Sequence, residues 1–328
     1  MINYCTYIDI PKPPFDITYK DRFMFMGSCF ADNIGGALAE YRFNVSLNPF
    51  GVLYNPLSVA MGCRRLANPK PFGEQDLFHY DGMYHSFMHH GKFSDVSAKN
   101  SIDKINESLA LAAECFCNIS HLVITFGTAY VYLLKDNGRV VANCHKLPAA
   151  QFERGLLTVD RIVEEWSVLL ENLWLENHSL KVIFTVSPIR HRKDGAHLNQ
   201  ISKSTLLLAQ QSLVDKYPGR ISYFPAYELM MDELRDYRFY ADDMIHPSKV
   251  AIDYIWERFY ETYMDAETKK ALKDVEFVNR ALRHRPLNPS TDAYEQFLIQ
   301  TMQKIQQLKD KYPYICLTEV ENEMVKKL

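Results

Sequence analysis

The sequence predicts an α/β fold, a mainly parallel sheet with helices on both faces. Three observations carry that prediction. Apolar runs of strand length, at residues 23–26, 121–127, 181–188 and 221–225, alternate with amphipathic helical stretches rather than with further strands. The run at 121–127 has the near-continuous apolar pattern of a strand buried on both sides. Each run ends in turn residues: Gly27-Ser28, Gly127, Ser187-Pro188 and Pro225. In a parallel sheet such ends share one rim, and ligands gather there.

Taken in order, residues 9–20 form an extended lead-in with Pro11, Pro13 and Pro14. The first strand, 23–26, is followed by a helix over 32–41. Residues 44–56 are dense in turn formers, and Asn55-Pro56 opens a helix over 57–66. The stretch 69–100 reads as irregular. A helix over 102–117 places Ile102, Ile105, Leu109, Ala112 and Phe116 on one face and leads into the second strand. Asp136-Asn137-Gly138 is a strong hairpin turn between 130–134 and 140–143. Helices over 159–175 and 201–216 flank the strand at 181–188. A short helix over 227–235 follows the strand at 221–225, and Ser248 caps a helix to 263.

Past 265 the strands stop, and 267–283 and 290–311 are charged helices. In the second, Tyr294, Phe297, Leu298, Met302, Ile305 and Leu308 form an apolar stripe. Packing back on the main body is a commoner use of such a stripe than a dimer seam. The expected organisation is therefore an α/β domain over 1–264 with a C-terminal helical extension, 265–328, packed on it.

A net charge of −3 gives no reason to expect nucleic acid or an anionic membrane surface as partner. No apolar run approaches the ~20 residues of a membrane span, and the first nine residues lack the pattern of a signal peptide. The seven cysteines are scattered, and Cys115 and Cys117 are too close for a zinc-ribbon pair, so reduced thiols in the cytoplasm are expected. His85, His89 and His90 lack the helical spacing of a zinc site, and there is no glycine-rich phosphate loop. Neither a metal nor a cofactor is implied. The oligomeric state is not legible.

Two stretches carry chemistry. In Met26-Gly27-Ser28-Cys29-Phe30-Ala31 a serine sits on a tight strand-to-helix turn, beside the free N–H groups of a helix start. That suits a nucleophile with a built-in oxyanion donor. A plain helix cap is the commoner role for such a serine, and Cys29 is a second nucleophile candidate. The other stretch is Asp242-Asp243-Met244-Ile245-His246-Pro247-Ser248. Its Asp-x-x-His spacing lets Asp243 orient the His246 imidazole; a helix cap and a locally packed histidine are the alternative. Arg190, His191, Lys146 and Arg238 are candidates for holding a carboxylate or phosphate on a substrate, although Arg238 suits an internal salt bridge equally.

A serine turn first and Asp-x-x-His last is the order of the SGNH (GDSL-like) hydrolases. More closely, Gly27-Ser28-Cys29-Phe30-Ala31 resembles the signature of the GSCFA family. Asn48-Pro49-Phe50-Gly51, Phe126-Gly127-Thr128-Ala129, Asn143-Cys144-His145-Lys146, Ser187-Pro188-Ile189-Arg190-His191 and Asp236-Tyr237-Arg238-Phe239-Tyr240 are similar to its later blocks, over about residues 22–260. The resemblance implies a flavodoxin-like three-layer α/β/α sandwich and ester chemistry with Ser28 as nucleophile, His246 as base and Asp243 as orienting carboxylate. It implies oxyanion donors in the Ser28 and Gly51 N–H groups and a third-block asparagine amide. Here that block reads Gly127-Thr128-Ala129, so Asn143 is the first substitute, then the Thr128 hydroxyl and His145. The expected activity is a serine-dependent carboxylic-ester hydrolase acting on a small ester, an O-acylated sugar being one candidate. An acyltransferase or an inactive ligand-binding protein is the alternative.

Overall fold

The computed structural model describes residues 6–286, 288 and 291–327. Chain order begins β1 (Arg22–Gly27), α1 (Cys29–Glu40), β2 (Asn44–Leu47), α2 (Pro56–Ala67), a hairpin of β3 (Phe78–Tyr80) and β4 (Met83–His85), and α3 (Ala98–Phe116). It continues through β5 (His121–Phe126), β6 (Tyr130–Leu134), β7 (Val140–Val141), β8 (Phe152–Leu156), α4 (Val159–Glu176), β9 (Lys181–Val186), α5 (Gly195–Lys216) and β10 (Ile221–Tyr223). A single turn α6 (Ala226–Glu228) runs into a π-helical turn over Leu229–Glu233. Then come α7 (Lys249–Tyr263), α8 (Ala266–Arg283), α9 (Asp292–Lys311) and α10 (Thr318–Val325).

The central sheet has five strands in the order β10-β9-β5-β1-β2, and every pairing is parallel. Successive side chains on a strand point to opposite faces, so β1 divides its apolar residues between two cores. Met24 and Met26 join Val59, Ile105, Trp166 and Leu206 from α2 to α5. Phe23 and Phe25 join Leu38, Trp256, Leu272 and Leu298 from α1 and α7 to α9. The molecule is thus an α/β sandwich of three layers, with the C-terminal helices sharing the core of one face. The α9 stripe is turned inward, with Leu298, Ile305 and Leu308 buried.

Several expectations shift. The turn-rich stretch at 44–47 is an edge strand, because half-buried Val45 and Leu47 still pair with Phe23 and Phe25 of β1. The irregular stretch at 69–100 contains a hairpin at Asp81-Gly82, where both residues take positive φ (49° and 73°). The helix expected from 32 begins at Cys29, capped by Ser28. Strand β8 and helix α10 were not foreseen. Of the helix expected over 290–311, Ser290 lies outside the described residues, as does Cys5 among the cysteines.

Candidate active site

The turn that carries Ser28 is fixed by a glycine. Gly27 adopts φ +140°, and a Cβ there would sit 2.1 Å from the Thr125 carbonyl oxygen of neighbouring β5. Only a residue without a side chain lets the two backbones approach so closely. The Gly27 N–H donates to Asn48 Oδ1 (2.9 Å), its carbonyl accepts from Leu53 N (2.8 Å), and Asn48 Nδ2 donates to Asp32 (2.7 Å). The loop after β2 therefore clamps the turn. Ser28 follows in extended backbone, 1% exposed, and its Oγ accepts from Phe30 N at 3.4 Å. It is a helix cap, and a cap's hydroxyl keeps a lone pair and its own proton.

In the loop that leads into α7, Asp243 and His246 form a half-exposed pair. Asp243 Oδ2 lies 2.5 Å from His246 Nδ1, while Oδ1 accepts from the Ile245 and His246 N–H groups at 2.8 and 2.9 Å. The His246 N–H first, then its imidazole and the Ile245 N–H, hold the Asp243 carboxyl down to about 2. A carboxylate on Nδ1 leaves Nε2 as the nitrogen available to a substrate or nucleophile. Ser28 and His246 both line one cavity of about 450 Å³. Tyr54, Tyr130 and Tyr132 supply its aromatic wall, and Arg190 and His191 lie on it as well.

The remaining sequence candidates scatter. Thr128 lines the cavity, but its hydroxyl is engaged with Ser202 Oγ (3.1 Å) and accepts from Tyr130 N (3.1 Å). Gly51 does not line it, and its N–H donates to Asn48 O at 2.7 Å. Asn143 does not line it either; its Oδ1 accepts from His145 N (2.9 Å). His145 turns its Nε2 to Ser86 O (2.8 Å), and burial lowers its pKa. Lys146 and Arg238 are also absent from the cavity wall, and Arg238 faces Asp236 at 3.8 Å. The Ser28 N–H donates to Thr125 O at 3.1 Å. Among the described residues the Cys29 N–H, first in α1, has no acceptor beyond its own thiol. Burial raises the Cys29 thiol, and Asp32 adds to that, so the neighbouring cysteine favours the neutral form.

His85 and His89 serve the fold. His85 Nδ1 pairs with Ser94 Oγ (2.7 Å), and His89 Nδ1 with Ser86 Oγ (2.9 Å), burial driving the latter's pKa down to about 3. Among the described residues no three His, Cys, Asp or Glu side chains cluster as metal ligands do.

One group escaped the sequence reading. Lys203 of α5 is wholly buried, and its Nζ donates to Gly127 O and Ser187 O, both at 2.7 Å. These carbonyls end β5 and β9, so the lysine ties two strand ends together directly behind the rim. Desolvation lowers its pKa to about 7, and among the described residues no carboxylate is in contact to oppose it. A signal was present: Asn199, Ser202, Lys203, Leu206, Ala209, Gln210 and Leu213 are spaced as the inward stripe of a helix.

The family model described as "GSCFA family" matches residues 22–259, most of the chain and all of this site. The chain belongs to the GSCFA family. A second model, "GSCFA domain protein, C-terminal domain", matches residues 275–328, which contain α9 and α10 and the second half of α8. In this GSCFA chain the five parallel strands, the serine turn and the Asp243–His246 pair all fall within the first match. No curated protein and no solved structure matches the chain. No helix among the described residues is long and apolar enough to cross a membrane.

Proposed function

We propose that this protein is a serine-dependent carboxylic-ester hydrolase of the SGNH type. One observation carries the reading: Ser28 and His246 open on the same cavity, with Asp243 2.5 Å behind the imidazole. In this reading His246 Nε2 takes the proton of the Ser28 hydroxyl as Oγ attacks the ester carbonyl. The proton passes to the departing alcohol, and water then releases the acyl group from Ser28 by the same exchange in reverse. Asp243 holds the tautomer and stabilises the imidazolium. The positive end of α1 and the open Cys29 N–H face the developing oxyanion.

The cavity volume suits a small-molecule ester, and the tyrosine wall suits stacking against a sugar ring in the alcohol part. No cofactor enters this chemistry. The six described cysteines are free thiols, which fits a cytoplasmic setting. The same residues make an acyltransferase if a bound hydroxyl outcompetes water, and acyl release measured with and without a polyol separates the two. A ligand-binding protein without turnover is the second reading, favoured by the engagement of the Ser28 and Gly51 N–H groups. Fluorophosphonate labelling of the wild type against Ser28→Ala decides between turnover chemistry and binding. Labelling confined to the wild type supports the hydrolase; equal labelling of both, or of neither, sinks it.

A further inference from the structure

The cavity shared by Ser28 and His246 carries more positive charge than its fold requires. Arg154, Arg190, Arg192 and Lys193 line it against a single carboxylate, Asp194. Asp194 is already paired with Arg154, whose guanidinium stacks 3.6 Å from the centre of the Tyr130 ring. Among the described residues Arg190, Arg192 and Lys193 have no carboxylate within ion-pair reach. Arg190 donates to the Met231 sulfur (3.0 Å), and Lys193 to the Tyr132 hydroxyl (3.5 Å), both neutral partners. Beside them the buried His191 Nε2 has no hydrogen-bond partner among the described residues.

Arg190 and Arg192 also border a second cavity of about 420 Å³, on the other side of Ile245. There Arg235 is matched by Asp232 (2.9 Å) and Asp236 faces Arg238, so the unmatched charge is concentrated at the junction of the two cavities. Three cations without counter-ions around a concave wall make a positive potential that an anion relieves. The planar guanidinium of Arg190 can grip a carboxylate or phosphate through two parallel hydrogen bonds.

We propose that this site takes esters that also carry an anionic group, a carboxylate or phosphate, seated against Arg190 with Arg192 and Lys193 beside it. The ester carbonyl then lies toward Ser28 and the remainder against the tyrosines. The ester part of this inference rests on the hydrolase reading; the anion seat does not.

Three chromogenic substrates test it: 4-nitrophenyl acetate, mono-4-nitrophenyl succinate and the 4-nitrophenyl ester of phosphonoacetic acid. At low salt kcat/KM should favour the charged esters over the acetate by roughly 10- to 100-fold, the worth of one or two charge-assisted hydrogen bonds. Added salt should erode that ratio, and Arg190→Gln should lower it by about tenfold or more. Whichever anion gains most identifies the group. Calorimetry with succinate and inorganic phosphate on Ser28→Ala reads the seat without turnover. Binding there that disappears in the Ser28→Ala/Arg190→Gln double variant upholds the seat even if no ester is hydrolysed. Equal rates on neutral and charged esters, with no anion bound by Ser28→Ala, overturn the proposal while leaving the hydrolase reading intact. If Arg190→Gln does not fold, Lys193→Gln and the salt titration of the wild type decide it the same way.

Discussion

Replacing Lys203 by methionine keeps most of the side-chain volume and removes the charge. In the folded chain burial holds this lysine at about 7, against an ordinary value of 10.5. Below pH 7 both folded and unfolded chains carry the proton, and the difference in stability does not change. Between pH 7 and 10.5 the unfolded chain keeps a proton that the folded chain sheds, so wild-type stability rises with pH. The slope is at most about 1.4 kcal/mol for each pH unit, or roughly 3 kcal/mol between pH 6.5 and 9.5. Methionine has no such term. It also strands the Gly127 and Ser187 carbonyls, which lowers stability by about 1–3 kcal/mol each at every pH. The cost of Lys203→Met should therefore grow with alkalinity, being smallest near pH 6.5. Urea melts of both proteins across that range measure it, and subtraction cancels the distant tyrosines and thiols. The groups around the ammonium, Cys29, Arg190, His191 and Tyr227, are the same in both proteins. Lys203→Arg, charged throughout, should show the same growing deficit. A wild-type-minus-variant difference that stays flat within about 0.5 kcal/mol from pH 6.5 to 9.5 would refute the argument, because the lysine would then be titrating as an exposed one does.

Two substitutions test the turn and the histidine. Gly27→Ala forces a Cβ to within 2.1 Å of a β5 carbonyl at φ +140°, and should destabilise the chain by roughly 2–5 kcal/mol in a urea melt; a midpoint like the wild type's would show that the strands can part there. Asp243→Asn keeps the size of the side chain but not its hold on the Nδ1–H. On the hydrolase reading it should lower kcat by about 10²–10⁴-fold with little change in KM or melting temperature. Fluorophosphonate labelling should slow in parallel, and an unchanged labelling rate would remove Asp243 from the mechanism.

What the sequence disclosed follows from where each signal is stored. Strands β1, β5, β9 and β10 are apolar runs buried on both faces, and the long helices carry an inward stripe, so periodicity alone locates them. Strand β2 hides because Asn44 and Ser46 dilute it, and its order comes from pairing with β1 rather than from propensity. The hairpin at Asp81-Gly82 has a readable turn, but its strands are only three residues each, too short for alternation to mark them. Ser28 and the Asp243–His246 pair are local motifs and legible as such. The cavity wall is not, because Tyr130 and Tyr132 of β6, Arg154 of β8 and the loop after β9 meet only in three dimensions. Lys203 lies on the inward stripe of α5 among other polar residues, Asn199, Ser202 and Gln210, and its partners are backbone carbonyls, which leave no mark in a sequence.

The same distinction explains why the oxyanion donors were the least legible part of the site. Residue identity says which atoms exist; only the backbone says which are already engaged. Gly51 has an N–H, but its positive φ closes a turn in which that N–H returns to Asn48. The Gly127 and Thr128 N–H groups both donate to Tyr54 O, and the Gly127 carbonyl is held by Lys203. The turn after β5, where an asparagine amide was expected, is therefore committed on both its donor and acceptor sides to fixing the rim. What remains open among the described residues is at the start of α1, where the Cys29 N–H meets no acceptor beyond its own thiol and the helix presents its positive end. On the hydrolase reading, stabilisation of the oxyanion falls on that helix start and on the charge of the substrate's surroundings, not on a third side-chain amide. Substituting Asn143 should then leave the rate of Ser28 labelling untouched, whereas the Ser28–Cys29 turn, with Gly27 behind it, is where a loss of geometry would be felt.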